Sequence, residues 1–290
     1  MKQMFIIGIV ITLTILFGVW VNPPSATVGE WPVLPIIFSA VYVVQAIGFT
    51  HAVRHNTEHF YDITGSVSFI GAIGAAAILA QSLSLQGGLL LFMVVMWALR
   101  LGSFLFTRVT EVGEDQRFRK IKRSKLRFAL VWTLQGLWVS LTSSAALTAL
   151  LVAKPIATLS PAASIVVWVG VAVWLIGFLT EVIADRQKAT FRRNSANAGK
   201  FIQTGLWSRS RHPNYLGEIV LWIGVAITAS PALEGAQWLV WVSPLFVYLL
   251  LTRLSGIPTL ALRAQQRWGD DPDYLRYMDT TPRLLPKIFG

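Results

Sequence analysis

The chain has 290 residues, 54% of them hydrophobic and only 13% charged, with a mean hydropathy of +0.58. A soluble domain carries about 25% charged residues, so a water-soluble globular fold is excluded, and the absence of cysteine excludes a disulfide framework, a thiolate nucleophile and a Cys–zinc site. The formal net charge of +11 raises nucleic acid as a partner, but the placement of the charges assigns them to a membrane surface instead.

Eight apolar runs follow in chain order, at 4–21, 33–53, 63–85, 88–107, 128–153, 162–185, 213–229 and 234–253. Each is close to the length that a hydrocarbon core of ~30 Å demands of a helix. The first run has Lys2 in front and no convincing small-residue cleavage site behind, so it reads as a span and not as a signal peptide. "VNPPSATVGEWP" is a Pro/Gly-rich loop without a positive charge, while "QGG" (86–88) and "SPALEG" (230–235) read as short connections between antiparallel neighbours. The expected fold is all-α: a single transmembrane domain over residues 1–290, built as a polytopic helix bundle of seven to eight spans.

The basic residues sort to one side. Arg108, Arg117, Arg119, Lys120, Lys122, Arg123, Lys125 and Arg127 follow span four; Arg186, Lys188, Arg192, Arg193, Lys200, Arg209 and Arg211 lie between spans six and seven. With eight spans these segments share a side with both termini and with Arg54, and only Lys154 lies opposite. The positive-inside rule then makes both termini cytoplasmic. An integral protein of a bacterial inner membrane is expected, with membrane lipids as partners and no nucleic acid.

Carboxylates are rare inside the apolar runs. Asp62 opens span three, Glu181 and Asp185 close span six, and Glu218 lies in span seven. A charge at a helix centre costs about 2.5–3.5 kcal/mol on insertion scales, so such groups face a cavity or a partner. Glu181, Asp185, Lys188 and Arg192 are spaced i, i+4, i+7, i+11 and share one helix face. An intrahelical ion-pair ladder accounts for Asp185 with Lys188 but leaves Glu181 buried. Pro213 suits the first turn of span seven, which puts Asn214 and Glu218 on its first two turns. The polar faces of spans six and seven are therefore expected to meet. Arginines for phosphate, carboxylates for ribose hydroxyls and an amide for a carboxamide suit a nucleotide cofactor. Neither GxGxxG nor a Walker sequence is present.

Arg100, in "MWALRLGSFLFTR" (96–108), either snorkels to the interface or faces a cavity, and Arg108 follows two turns later. "HAVRHNTEHFYD" (51–62) places His51, His55 and His59 at i, i+4, i+8. In a continuous helix these could hold a metal, but a polar helix end is the simpler account and no metal is expected. Glu58, Tyr61 and Asp62, in the same segment, are candidate proton donors.

"EVIADRQKATFRR" (181–193) with "GLWSRSRHPNYLGEIVLWIG" (205–224) resembles the C-terminal domain of the steroid 5-alpha-reductase superfamily, above all its bacterial membrane branch. "WALRLGSFLFTR" (97–108) and "GDDPDYLRYMDTTPRLLP" (269–286) fit the same resemblance, which covers about residues 60–290. It implies a membrane reductase that carries hydride from NADPH to a carbon–carbon double bond conjugated to a ketone, in a lipophilic, steroid- or isoprenoid-like substrate entering from the bilayer. It makes 181–290 the cofactor-binding region. Asp185, Arg192, Asn214, Tyr215 and Glu218 match the cofactor-lining positions; Glu181 replaces a common asparagine, Lys200 a usual arginine, and Arg100 matches an arginine ending an earlier span. Arg108, Lys188, Arg211, His212, Tyr274 and Tyr277 complete the cofactor-facing candidates. The steroid enzymes' catalytic glutamate falls in the region of Asp62 and their tyrosine near Trp97, so the pair is not cleanly reproduced. A buried carboxylic acid can stabilise the developing enolate oxygen, so Asp62 or Glu58, with Tyr61 as helper, is the expected acid.

Two alternatives stand beside this one. Isoprenylcysteine carboxyl methyltransferases share Arg-His-Pro-x-Tyr-x-Gly and bind S-adenosylmethionine there, but often carry a Glu-Glu pair where this chain reads "LALRAQQRWG". A lipid-binding protein that keeps the fold without turnover is the other.

Overall fold

A computed structural model describes residues 2–80, 82–112, 118–152 and 160–286. Lys154 and Arg117, which entered the charge sorting, lie outside these residues. Among the described residues, eight helical segments are long and apolar enough to cross a membrane, and the fold is a polytopic helical bundle. By backbone contacts the chain forms two compact units, one of residues 1–168 with 225–243 and one of 169–224 with 244–290.

The first unit is organised around α5 (Lys125–Leu151), which packs against α1 (Lys2–Val21), α2 (Val33–Arg54), α3 (Tyr61–Leu79) and α4 (Leu85–Val112). Its sequence explains the central place. Ser140, Thr142, Ser143, Ser144, Ala145, Ala146, Thr148 and Ala149 are all buried, and side chains this small let neighbouring helices approach closely. Two of their hydroxyls turn to nearby carbonyls: Ser143 Oγ donates to Val139 O at 2.6 Å and Ser144 Oγ to Leu141 O at 2.8 Å. Large residues of the neighbours fill what the small ones leave: a Cβ on Gly136 would lie 2.7 Å from the Tyr42 ring. Ahead of α2, a two-residue hairpin, β1 (Thr27–Val28) and β2 (Trp31–Pro32), turns at Gly29 with φ +60°.

Three boundaries differ from the sequence expectation. "QGG" is not a connection but the first turn of α4; α3 stops at Leu79, and Ser84 Oγ caps the new helix by accepting from Gly87 N at 3.1 Å. Gln86 explains why the turn is helical, since its Nε2 donates to Thr228 O at 2.8 Å in the same unit. Helix α2 ends at Arg54, and Asn56 takes a left-handed φ of 48°, so His51, His55 and His59 do not share one continuous helix. Helix α6 (Pro161–Arg193) runs eight residues past the expected end, carrying its polar face beyond the apolar run.

The second unit contains most of α6, the first turns of α7 (Pro213–Ala229), and α8 (Val242–Leu249), α9 (Gly256–Trp268) and α10 (Pro272–Thr280). A π-turn over Leu250–Leu254 separates α8 from α9, with Ser255 N bonded to Leu250 O at 2.9 Å. Helices α6 and α7 touch backbone to backbone. A Cβ on Gly177 would lie 2.7 Å from Gly217 O, one on Gly217 2.6 Å from Glu181 N, and one on Gly224 2.7 Å from Trp174 Cα and 2.8 Å from Gly170 O. Gly170 and Gly177 on one helix, and Gly217 and Gly224 on the other, are seven residues apart, which keeps each pair on one face.

Gly217→Val should therefore lower the thermal unfolding midpoint in detergent, with about 1–3 kcal/mol of overpacking and more where the backbones must part. Gly8→Val on α1, where nothing lies within 4 Å, should leave the midpoint unchanged. Equal midpoints for Gly217→Val and the parent protein would refute the close approach.

Candidate functional site

In the second unit the polar residues of α6 and α7 converge next to the glycine contact. Asn214 Nδ2 donates to Asp185 Oδ1 at 3.2 Å, joining the two helices. Glu181 lies against Gly217 through its backbone and Cβ. Glu181, Asp185 and Glu218 are all buried, at 2%, 6% and 9% exposure. Three carboxylates in one apolar helix pair must be matched by donors or cations.

The segment between the helices folds back onto α6. Trp207 is buried and its Nε1 donates to Ala184 O at 3.0 Å; Leu206 N donates to Gln187 Oε1 at 2.9 Å. Gly205, at φ +62°, makes the turn that lets Trp207 enter. Lys188 Nζ sits 4.3 Å from the centre of the Trp207 ring, a cation–π contact. His212 stacks on Tyr215 with rings 5.7 Å apart, and its backbone N–H donates to Ser210 Oγ at 3.2 Å. Burial, then the charges of Lys188, Arg211 and Arg283, push the His212 imidazole down to about 3. The imidazole is thus neutral and bordered by three cations.

The C-terminal region closes this end of the unit. Tyr277 donates its hydroxyl to Trp207 O at 2.7 Å, and burial pushes that hydroxyl up to about 12. Tyr274 is buried against Phe201 and Trp268, with ring distances of 5.2 and 5.9 Å. Both tyrosines thus clamp the fold. Arg211 N bonds Pro282 O at 2.9 Å, Ser210 Oγ donates to Leu284 O at 2.7 Å, and Arg283 Nη2 donates to Thr252 O at 2.6 Å. Arg192 and Lys200 are exposed on the surface. Trp207, Met278 and Arg283 were not among the sequence candidates. An isolated tryptophan in the polar stretch "GLWSRSRHP" was the signal for the first.

The first unit gathers the candidate acids. Glu58 is buried in a short ion pair with Lys122 Nζ, at 2.6 Å. Tyr61 donates its hydroxyl to Val131 O at 3.2 Å and packs between Phe118 and Trp132. Asp62 faces Arg108 at 3.8 Å, beyond hydrogen-bond length, with its side chain 13% exposed. Arg100 lies over the Phe104 ring at 5.3 Å. His51 and His55 have ring centres 4.5 Å apart, while His59 packs on Phe60 and Phe106. Among the described residues no group of three or more His, Asp or Glu could hold a metal ion.

The fold and site define a polytopic helical membrane protein whose buried carboxylates lie at a glycine-packed helix pair. The family described as "Protein of unknown function (DUF1295)" matches residues 48–281, and the chain belongs to that family. It is 21% identical to "Uncharacterized protein C594.04c" of Schizosaccharomyces pombe (strain 972 / ATCC 24843), over 99% of this chain and 80% of the relative. It is 29% identical to "Probable O-methyltransferase ustE" of Ustilaginoidea virens over 75 residues, 25% of this chain and 26% of that one. No solved structure matches significantly.

Two outcomes follow from this geometry. Lys122→Met removes the short ion pair from buried Glu58 and should cost up to about 3–5 kcal/mol, part of which the double variant Lys122→Met/Glu58→Gln recovers; unfolding curves in detergent check both. For His212, the unfolded imidazole takes up a proton near the ordinary value of about 6.5, whereas the folded one does so only near 3. Stability is thus lost as pH falls below about 6.5. Between pH 7 and 5 the unfolding midpoint should fall more steeply in the parent than in His212→Gln, and parallel slopes would contradict it.

Proposed function

We propose that the protein is an integral membrane reductase that uses NADPH to reduce a carbon–carbon double bond conjugated to a ketone in a lipophilic, steroid- or isoprenoid-like substrate. The observation that carries this reading is the Asn214–Asp185 hydrogen bond beside buried Glu181 and Glu218, with Lys188, Arg211 and Arg283 around one neutral histidine. The resemblance of 181–224 to steroid 5-alpha-reductases supports it.

The donor set fits this cofactor. Carboxylates accept from ribose hydroxyls, Asn214 can pair with a carboxamide, and the cations suit phosphates. Bound NADPH would supply the hydride. The chain's own part is to hold and orient it: Asp185 fixes Asn214, Trp207 fixes Lys188, and the Pro282 carbonyl fixes the Arg211 backbone. Asp62 or Glu58, with Tyr61 as helper, stays the acid candidate for the ketone oxygen, and such a group would donate a hydrogen bond to that oxygen as charge develops there.

The similarity to a probable O-methyltransferase favours a second reading, in which S-adenosylmethionine occupies the same residues. That cofactor is a cation without phosphate, so Lys188, Arg211 and Arg283 would meet no phosphate on it. Thermal unfolding of the detergent-purified protein with NADPH, NADH or S-adenosylmethionine decides between them. NADPH at a hundred times its Kd should stabilise by about 2.7 kcal/mol, and Asn214→Ala should weaken that effect. A shift with S-adenosylmethionine alone would replace the reductase reading with the methyltransferase one.

A further inference from the structure

Arg211 is poorly matched to its surroundings. Its Nη1 donates to the thioether of Met278 at 3.1 Å, and its Nε is buried with no acceptor. A guanidinium is always charged, and a thioether is among the weakest acceptors a protein offers. Met278 also differs from the other described methionines. Met93 is 1% exposed in the first unit, and Met4 and Met96 are exposed on apolar candidate spans. Met278 is half-buried on α10, outside every candidate span, where water-borne reagents reach it.

We propose that Met278 is a reversible oxidation site whose sulfoxide captures Arg211. The oxidant is a two-electron oxygen donor of the peroxide class. A sulfur lone pair attacks one peroxide oxygen, the O–O bond breaks and an S–O bond forms. Sulfur loses two electrons, and the other oxygen leaves as water. A thiol-dependent methionine sulfoxide reductase reverses the change, oxidising two thiols to a disulfide and releasing the oxygen as water. The sulfoxide oxygen is a far better acceptor than the sulfur, so the N–H···S contact becomes a charge-assisted N–H···O bond. Arg211 is then held by α10 and withdrawn from an anionic ligand. This last consequence rests on the assignment of Arg211 to the cofactor's phosphates.

The test treats the detergent-purified full chain with graded hydrogen peroxide and follows three readouts. Peptide mass spectrometry should show Met278 gaining one oxygen several-fold faster than Met4, Met93 or Met96. Phenylglyoxal, which labels accessible guanidinium groups, should modify Arg211 several-fold more slowly after oxidation, and reductase treatment should restore the original rate. In Met278→Leu, a swap of similar volume, peroxide should leave the Arg211 labelling rate unchanged. NADPH affinity should fall about tenfold on oxidation of the parent, the size of one charge-assisted contact, and not in Met278→Leu. Slow oxidation of Met278, or unaltered Arg211 labelling once Met278 is fully oxidised, would overturn the proposal. If the reduced parent protein binds no NADPH, the cofactor reading falls, while the mapping and labelling still decide this one.

Discussion

The polar end of the second unit depends on how closely the α6 and α7 backbones approach at Gly177 and Gly217. With any side chain there, Asn214 and Asp185 would stand too far apart to bond, and Glu181 would lose the packing that covers it. The contact matters more in a bilayer than in water, because lipid gives apolar helices no hydrophobic reason to associate. Tight van der Waals packing and an interhelical hydrogen bond supply the attraction instead. The glycines thus do two things at once: they join two helices, and they fix the spacing of the groups beside them.

The two units solve the burial of charge differently. Near Glu58 the first unit uses a direct ion pair, with Lys122 from the basic segment after α4 reaching the turn between α2 and α3. Such a pair is fully matched and has little left to offer a ligand. Asp185, in the second unit, accepts from the neutral amide of Asn214 across two helices. The cations nearby are spread over a tryptophan face, a thioether and backbone carbonyls.

Hydropathy revealed the spans because a bilayer tolerates so few sequences, and the i, i+4, i+7 spacing of Glu181, Asp185 and Lys188 revealed the shared face. The meeting of spans six and seven followed from the cost of leaving those groups in lipid. What sequence reasoning missed depended on single side chains far apart in the chain. Gln86 draws "QGG" into a helix by reaching a carbonyl 142 residues away. Nothing local to Tyr277 announces that it will bond Trp207, and its placement among cofactor candidates followed motif position rather than contact. Asn56 stopped α2 through one left-handed residue, which sufficed to take His59 off the face of His51 and His55.

The π-turn over Leu250–Leu254 introduces a phase shift. A π-turn accommodates one residue more than an α-turn, and one residue advances a helix by roughly 100°. Helix α8 carries no charged residue, whereas α9 carries Arg263 and Arg267 among exposed positions and buries Ile257. The additional residue lets the orientation of α9 be set independently of the helix that precedes it. The displaced Thr252 carbonyl is taken up by Arg283, so the tail ratifies the shift. A chain shortened by that one residue would keep almost the same hydropathy profile yet turn its arginines roughly 100° away, a reorientation that an alignment would record as a single gap.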